Sequence, residues 1–342
     1  MTQAAQLAQY GANNVGLSFK NRLINGDMVI SQRNGTSSIT PTATSFPWTY
    51  NVDRWLTVQS QASKFSVQQN QGSVTPPAGF TNYLGITSLA ATSLGASDVY
   101  LLQQRIEGFN IADLGWGTAN AQPVTLSFWT RSSLTGAFGG SFTNNADNRS
   151  YAFSYTINAA NTWEYKTITV LGDTTGAWEA TSAAGILVSF SLGVGSTNTG
   201  AGGSWVAGLR LTPTGSVSIV GTNGATFQIT GVQLEKGTVA TSFDYFPFGT
   251  ELMLCQRYFT RTYGYSGLTG SGSELSGTVY GSVQMRTTPT LTATIQEGGP
   301  SALDGLNSQN ANSNMICRWW VGSGSKGSPG YVVWNGTASA EL

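Results

Sequence analysis

The sequence predicts an all-β protein whose larger part is a β-sandwich, and three observations carry that prediction. From Arg22 onward, short runs of alternating apolar and polar residues follow one another, separated by Gly, Asn, Asp and Pro. Aromatic residues make up 11% of the 342 positions, which is enough to build a core. Charged residues make up only 9%, and no apolar run is long enough to cross a bilayer. We therefore expect packed sheets and no membrane insertion.

The strands are predicted from the period of two that each run shows. In residues 124–130 the alternation places Leu126 and Phe128 on one face and Trp129 on the other. Residues 151–157, 186–192 and 227–234 alternate in the same way. Gly231 interrupts the last run, which indicates a bulge or a close approach of another part of the chain.

Residues 163–170 form the one ambiguous strand. Trp163 and Tyr165 would share one face, and Ile168 and Val170 the other, so either pair can be the buried one.

Shifts in composition divide the chain into four segments. Residues 1–19 are predicted to form an N-terminal docking arm, because their weak helical pattern breaks at a run of Gly, Ala and Asn. Residues 20–246 are the predicted sandwich, and residues 247–262 a helical connector with Thr250 as its N-cap. Residues 263–342 predict a smaller β-domain. Because so short a domain exposes strand edges, we expect copies of the chain to associate.

Composition excludes several classes of function. Sixteen basic residues balance sixteen acidic ones, so binding driven by phosphate charge is not expected and no nucleic acid is a predicted partner. The absence of histidine excludes Ser-His-Asp catalysis and His-ligated zinc. A carboxylate pair is the remaining catalytic option, and no spacing among the acids marks one, so no enzymatic activity is predicted. Cys255 and Cys317 either pair or stay free thiols.

Calcium is the metal that suits this composition, because oxygen ligands are plentiful. Asp27 follows an Asn-Gly turn near the start of the sandwich, and Glu235 ends its last predicted strand. One interpretation is a structural calcium ion that joins the first and last strands through these two carboxylates. The other is that both residues have ordinary turn and edge roles. No other cofactor is predicted.

Tryptophans in Gly-rich loops are candidates for stacking on sugar rings. Trp116 and Trp205 lie in such loops, where they can also serve simply as anchors. Trp319 and Trp320 are adjacent, so on a strand they point to opposite faces and only one can be core. Together with Tyr331, the outward one would form a surface suited to a glycan or to a protein.

Short motifs, taken in chain order, carry a family resemblance. They are NRLINGDM at 21–28, DRW at 53–55, QRIEG at 104–108, VTLSFW at 124–129, GVQLEKG at 231–237, ATSF at 240–243 and CQRYF at 255–259. As an ordered set they resemble a module of tail-fibre and related virion proteins of bacteriophages, which is similar to jelly-roll carbohydrate-binding modules. The resemblance implies a jelly-roll β-sandwich, assembly into a virion, a homotrimer and a host-surface glycan as ligand. Residues 285–292 resemble the start of the C-terminal domains of such fibres.

The leading hypothesis is therefore a non-enzymatic virion fibre protein, assembled in the host cytoplasm and released by lysis. As a tail fibre it would attach to a host glycan through its C-terminal domain and bind other virion proteins through its N-terminal arm. A head fibre, a capsid decoration or a tail adaptor without receptor binding is the first alternative. A glycan-degrading tail spike is the second.

Overall fold

The computed structural model describes residues 19–267, 275–280, 283–298, 315–321 and 331–342. Side chains are described for residues 19–262, 283–292 and 336–342. The predicted docking arm, residues 1–19, lies outside the described residues except for Phe19. No helix within the described ranges is both long enough and apolar enough to span a membrane.

Fourteen strands form the larger part of the molecule. In chain order they are β1 (Trp48–Tyr50), β2 (Trp55–Gln59), β3 (Phe65–Gln69), β4 (Leu84–Ser88), β5 (Val99–Glu107), β6 (Val124–Ser132), β7 (Gly136–Asn144), β8 (Arg149–Ile157), β9 (Glu164–Val170), β10 (Ala184–Val194), β11 (Thr199–Gly200), β12 (Trp205–Ala207), β13 (Thr212–Pro213) and β14 (Thr226–Lys236). Short 3-10 helices span Gly108–Asn110, Ala112–Leu114 and Ser196–Asn198.

These strands form a jelly roll. One sheet has the order β3-β4-β14-β6-β9 and the facing sheet the order β1-β2-β5-β10-β7-β8-β12. The eight strands β4–β10 and β14 supply four neighbouring strands to each sheet, and the chain crosses between the sheets in the two Greek keys that define the fold. The all-β, jelly-roll prediction is confirmed.

The core lies between the sheets and is built by the side chains that alternation placed inward. Leu126 and Phe128 of β6 are fully buried, and the ring of Phe128 lies 5.0 Å from that of Phe190 in the facing sheet. Burying a side chain of this size stabilises the fold by about 1.5–3 kcal/mol. The ambiguous strand is settled as well, because Val170 is buried and Tyr165 is 44% exposed.

Two glycines, Gly26 and Gly231, lie where a Cβ atom would clash with another part of the chain. Gly231 has φ of 61° at a register shift between β14 and β6, and a Cβ there would lie 2.5 Å from the ring of Phe80. A Cβ on Gly26 would lie 2.1 Å from the carbonyl oxygen of Val232. This close approach lets residues 21–26 pair with β14, where the amide of Arg22 donates to the carbonyl of Leu234 at 2.9 Å.

Within the described ranges after the sandwich, the chain forms a helix and five strands. They are α1 (Phe248–Gln256), β15 (Phe259–Gly267), β16 (Leu275–Tyr280), β17 (Thr290–Gly298), β18 (Met315–Val321) and β19 (Tyr331–Ser339), with β15-β19-β17 in one sheet and β16-β18 in another. The predicted N-cap is wrong. The helix begins at Phe248, two residues before Thr250, and Pro247 precedes it without a side-chain cap, because a proline has a φ suited to a helix start. Cys255 is a free thiol buried among apolar residues.

Several motifs of the family resemblance meet where the sandwich contacts the chain after it. Arg54 is 1% exposed, pairs with Glu341, and stacks its guanidinium 3.6 Å above the ring of Tyr258. The carboxylate of Glu107 accepts from Arg257 at 2.7 Å and from the Tyr258 hydroxyl at 2.7 Å. These residues hold the last residues of the chain against the sandwich, so their roles are structural.

Candidate functional site

The fold brings two of the predicted sugar-stacking residues together. The ring centroids of Trp116 and Trp205 lie 5.1 Å apart, and the ring of Trp178 contacts both, at 4.8 and 5.3 Å. All three contacts are edge-to-face, the favoured arrangement of aromatic rings. We call Trp116, Trp178 and Trp205 the tryptophan cluster. Sequence reasoning did not single out Trp178, since only the fold brings its loop to this end of the sandwich.

Every indole N–H of the tryptophan cluster is used inside the protein. Trp116 donates to the carbonyl of Gln122 at 2.8 Å, and Trp178 to that of Thr175 at 3.2 Å. Trp205, on the edge strand β12, donates at 2.7 Å to the carbonyl of Leu171, which follows the edge strand β9 of the other sheet. The cluster therefore closes one open side of the sandwich.

A buried ion pair lies beside the cluster. The carboxylate of Asp173 accepts from Arg149 at 2.6 and 2.8 Å, from the amide of Thr175 at 3.2 Å and from the indole of Trp178 at 3.3 Å. Burial opposes ionisation, but the hydrogen bonds from Arg149 and Thr175 outweigh it and lower the pKa of Asp173. The hydrogen bonds of this region are satisfied internally, which suits an anchor. Stacking of a sugar on Trp116 or Trp205 stays a prediction.

The other three predicted contact residues lie in the C-terminal strands. Trp319 and Trp320 pair with Gly277 and Ser276 across β16 and β18, and Tyr331 begins β19. Their side chains lie outside the described part of the chain. Their role as glycan contacts stays a prediction.

The two predicted calcium ligands have different surroundings. The carboxylate of Glu235 accepts three hydrogen bonds, from Gln233 and from the amide and hydroxyl of Thr241, at 2.8–2.9 Å. Burial raises the pKa of Asp27, and that carboxyl acts electrostatically on Glu251, whose pKa burial raises to about 7. Within the described residues no three His, Cys, Asp or Glu side chains form a metal-binding group. The calcium ion stays a prediction.

A second aromatic group lies on the open face of the five-stranded sheet. Trp129 of β6 pairs in register with Tyr165 of β9, and their ring centroids lie 5.4 Å apart. Trp129 is half-buried, and Tyr165 is exposed. In the part of the chain with described side chains, the Trp129 indole N–H and the Tyr165 hydroxyl have no hydrogen-bond partner. We call Trp129 and Tyr165 the aromatic platform.

Polar groups with unused donors border the aromatic platform. Arg131 lies two residues from Trp129 on the same face, where its Nε donates to the carbonyl of Asn161 at 2.9 Å and its Nη1 to the Gln228 side chain at 3.2 Å. The second terminal nitrogen of Arg131 and the Gln228 amide nitrogen have no partner among the described residues. The platform thus combines apolar ring surface with available hydrogen-bond donors.

The sequence predicted only part of the aromatic platform. Alternation placed Trp129 opposite the core residues, and it left Tyr165 on one of two possible faces. Their pairing depends on the register between β6 and β9, which no local pattern specifies.

Comparison with known proteins finds similar structures but no sequence relative. The sequence matches no protein-family model and no curated protein. One similar structure is the enzymatically active domain of tailspike protein 4 of bacteriophage CBA120, with 12% identity and a TM-score of 0.35 over 64% of this chain and 21% of that one. This chain therefore spans about a fifth of the length of that tailspike chain.

Two carbohydrate-binding modules are also similar. The family 11 module from Clostridium thermocellum in complex with a β-1,3-1,4-mixed-linked tetrasaccharide has 13% identity and a TM-score of 0.29, covering 58% of this chain and 99% of that one. TmCBM61 in complex with β-1,4-galactotriose has 12% identity and a TM-score of 0.28, covering 54% and 88%.

Proposed function

We propose that this protein binds carbohydrate at the aromatic platform, without cleaving it, as a fibre protein of a phage particle. The observation that carries the binding proposal is the half-buried indole of Trp129, which has an unused N–H and lies beside the exposed ring of Tyr165. The placement in a virion, as a homotrimer anchored through residues 1–19, is supported by the ordered motif set of the sequence. A tail fibre that contacts a host-surface glycan is the form we favour.

The chemistry of the aromatic platform suits a sugar. A pyranose ring has apolar C–H faces, which pack on an indole or phenol ring, and a rim of hydroxyls, which need hydrogen-bond partners. Trp129 and Tyr165 would supply the rings, while the Trp129 N–H and the free nitrogens of Arg131 and Gln228 would donate to the hydroxyls. Each such hydrogen bond contributes about 0.5–1.5 kcal/mol. One platform would bind weakly, and several copies on one fibre would raise the avidity by about 10²–10⁴.

The binding proposal is tested by substituting one tryptophan at a time in the full-length chain. We would screen wild type against a panel of bacterial surface polysaccharides, then measure Kd by calorimetry for Trp129→Ala and for Trp205→Phe. We expect Trp129→Ala to weaken binding at least about tenfold, because ring stacking and one hydrogen bond are lost. Trp205→Phe is the control for loss of an indole elsewhere, since Trp205 is also half-buried but uses its N–H internally. Unchanged affinity in Trp129→Ala would refute the platform.

The remaining parts of the proposal have their own readouts. Polysaccharide incubated with the protein should keep its chain length, and shortened chains would favour the tail-spike alternative. Solution mass should be that of a trimer, and a stable monomer at micromolar concentration would contradict it. Labelled protein should be seen on the tail of the particle, and a capsid location would favour the head-fibre or decoration alternative.

A further inference from the structure

The outer face of the seven-stranded sheet carries several polar side chains, in two neighbouring rows of the register, that the aromatic platform does not use. Register places Arg105 of β5 beside Leu187 of β10, and Leu187 beside Thr143 of β7. In the neighbouring row, Gln103 of β5 lies beside Ser189 of β10. All of these residues are at least nine-tenths buried, so the row is a built feature and not exposed surface.

Arg105 is held in one orientation but has no acceptor for its terminal nitrogens. Its Nε donates to the Gln103 side chain at 3.1 Å, and Gln103 in turn donates to the Ser189 hydroxyl at 2.9 Å. Among the described residues, neither terminal nitrogen of Arg105 has a hydrogen-bond partner, and no carboxylate lies within 4 Å of it. Burial lowers the pKa of Arg105, while Tyr50 and Asp147 act in the opposite direction.

One face of this guanidinium is already covered. Its central carbon lies 3.6 Å from the ring centroid of Trp48, a cation–π contact, so a ligand would reach the edge that carries the terminal nitrogens. Trp48 itself is 56% exposed, and its indole N–H has no partner in the described residues. The edge of a guanidinium fits an oxyanion with two parallel hydrogen bonds.

Two hydroxyl groups without hydrogen-bond partners among the described residues lie on the same outer face of the seven-stranded sheet. Thr143 Oγ1 and Ser141 Oγ are buried without a hydrogen-bond partner among the described residues. Register places Ser141 beside Ser189, and thus in the row that Gln103 begins. Leu187 lies between Thr143 and Arg105 in the register, and Ser189 lies between Ser141 and Gln103, so these hydroxyls are two strands away from the arginine and the site rests on Arg105 and Trp48.

We propose that Arg105 and Trp48 form a second binding site, which takes a sugar derivative bearing an oxyanion. The guanidinium edge binds the anion, and the exposed part of the indole packs on the sugar ring. The anion is the carboxylate of an acidic sugar or a sugar phosphate, two sources of the same chemistry. This site goes beyond the aromatic platform and does not depend on it.

The test compares three sugars that differ only at carbon 6: glucose, glucuronate and glucose 6-phosphate. Binding is followed by the NMR signal of the Trp48 indole N–H, which is assigned by its loss in Trp48→Phe. The full chain used carries Trp129→Ala, so that the aromatic platform does not bind the sugars. We expect the Kd of glucuronate or of glucose 6-phosphate, obtained by titrating this signal, to be at least about tenfold lower than the Kd of glucose. The charged sugar that binds more tightly identifies the source. Equal binding of all three sugars, or none, would overturn the proposal.

Variants at Arg105 separate binding from folding. Arg105→Gln should abolish the difference between the charged sugars and glucose, and Arg105→Lys, which keeps the charge near Trp48, should keep part of it. Lys64→Gln, a charge removed from another site, should change nothing. If Arg105→Gln does not fold, Arg105→Lys and Trp48→Phe still decide the question. Their affinities are measured by calorimetry, since Trp48→Phe has no indole signal, and wild-type affinity in both would refute the site. Failure here leaves the platform's polysaccharide binding untouched, since that is measured with Arg105 intact.

Discussion

The tryptophan cluster and the aromatic platform are made of the same kind of side chain and differ in how their polar atoms are used. In the cluster, all three indole N–H groups donate to the protein, and an ion pair saturates the adjoining polar atoms. On the platform, the Trp129 N–H and the Tyr165 hydroxyl have no partner within the described residues. The difference teaches that an aromatic residue in a loop is not by itself a ligand contact. Unused donors beside exposed ring surface are the better sign.

The largest expected effect is on the stability of the cluster. Trp116 is 6% exposed, so Trp116→Ala should lower the free energy of unfolding by about 3–5 kcal/mol, through lost burial and a cavity between Trp178 and Trp205. Urea denaturation measures it. Trp129→Ala is the comparison on the platform, and we expect it to cost about 1 kcal/mol or less. Equal losses at the two sites would abolish the distinction between anchor and platform.

The ion pair provides a second, smaller test of the cluster. Asp173→Asn leaves Arg149 half-buried without its counter-charge, and we expect a loss of about 2–4 kcal/mol in unfolding free energy. Thr175→Val, which removes a hydrogen bond from an uncharged hydroxyl to the same carboxylate, serves as the control and should cost less. A fully stable Asp173→Asn variant would mean that the cluster does not depend on its polar partners.

Lowering the pH should reduce the stability that the ion pair of Asp173 contributes, because the carboxylate becomes protonated. Its pKa lies below the ordinary value of 3.8, so its stabilising effect is present above that pH and is lost as the pH falls below it. The gap in unfolding free energy between wild type and Asp173→Asn should therefore shrink from pH 7 to pH 3. Urea titrations at both pH values measure this gap, and a gap that stays constant would show that Asp173 is not stabilised by its ionised form.

The smallest expected effect lies on the platform. Tyr165→Phe removes one unused hydroxyl and keeps the ring, so affinity for a bound glycan should fall about threefold, with unfolding free energy unchanged. Calorimetry and urea denaturation measure the two quantities. Tyr151→Phe is the control, because Tyr151 contacts Trp205 in the cluster region. A large loss of stability in Tyr165→Phe would mean that the platform is also structural.

Local pattern was sufficient for most of the fold. The alternation in residues 124–130 placed Leu126 and Phe128 inward and Trp129 outward, as observed, because successive side chains on a strand point to opposite faces. The break at Gly231 marked the register shift that occurs there. The predicted N-cap was wrong by three residues, since both Pro247 and Thr250 are residue types that can precede a helix and only the backbone decides between them.

The candidate sites were less accessible to such reasoning. Trp116 and Trp205 could be selected as loop aromatics, but whether their N–H groups were used depended on Gln122 and Leu171, of which the second is distant in sequence. The contact between Arg105 and Trp48 likewise joins two strands that are not adjacent in the sheet. Register and long-range contacts decide such pairs, and neither leaves a local signature.

The sequence by itself determined that this protein is a β-sandwich with few charged residues, because alternation, turn residues and composition act over a few residues at a time. Only the tertiary structure decided which aromatic residues became anchors and which stayed open. That outcome depends on whether a carbonyl from a distant segment accepts from each indole N–H, as that of Leu171 accepts from Trp205. It also depends on whether a carboxylate pairs with each arginine. Asp173 pairs with Arg149, and within the described residues no carboxylate pairs with Arg105.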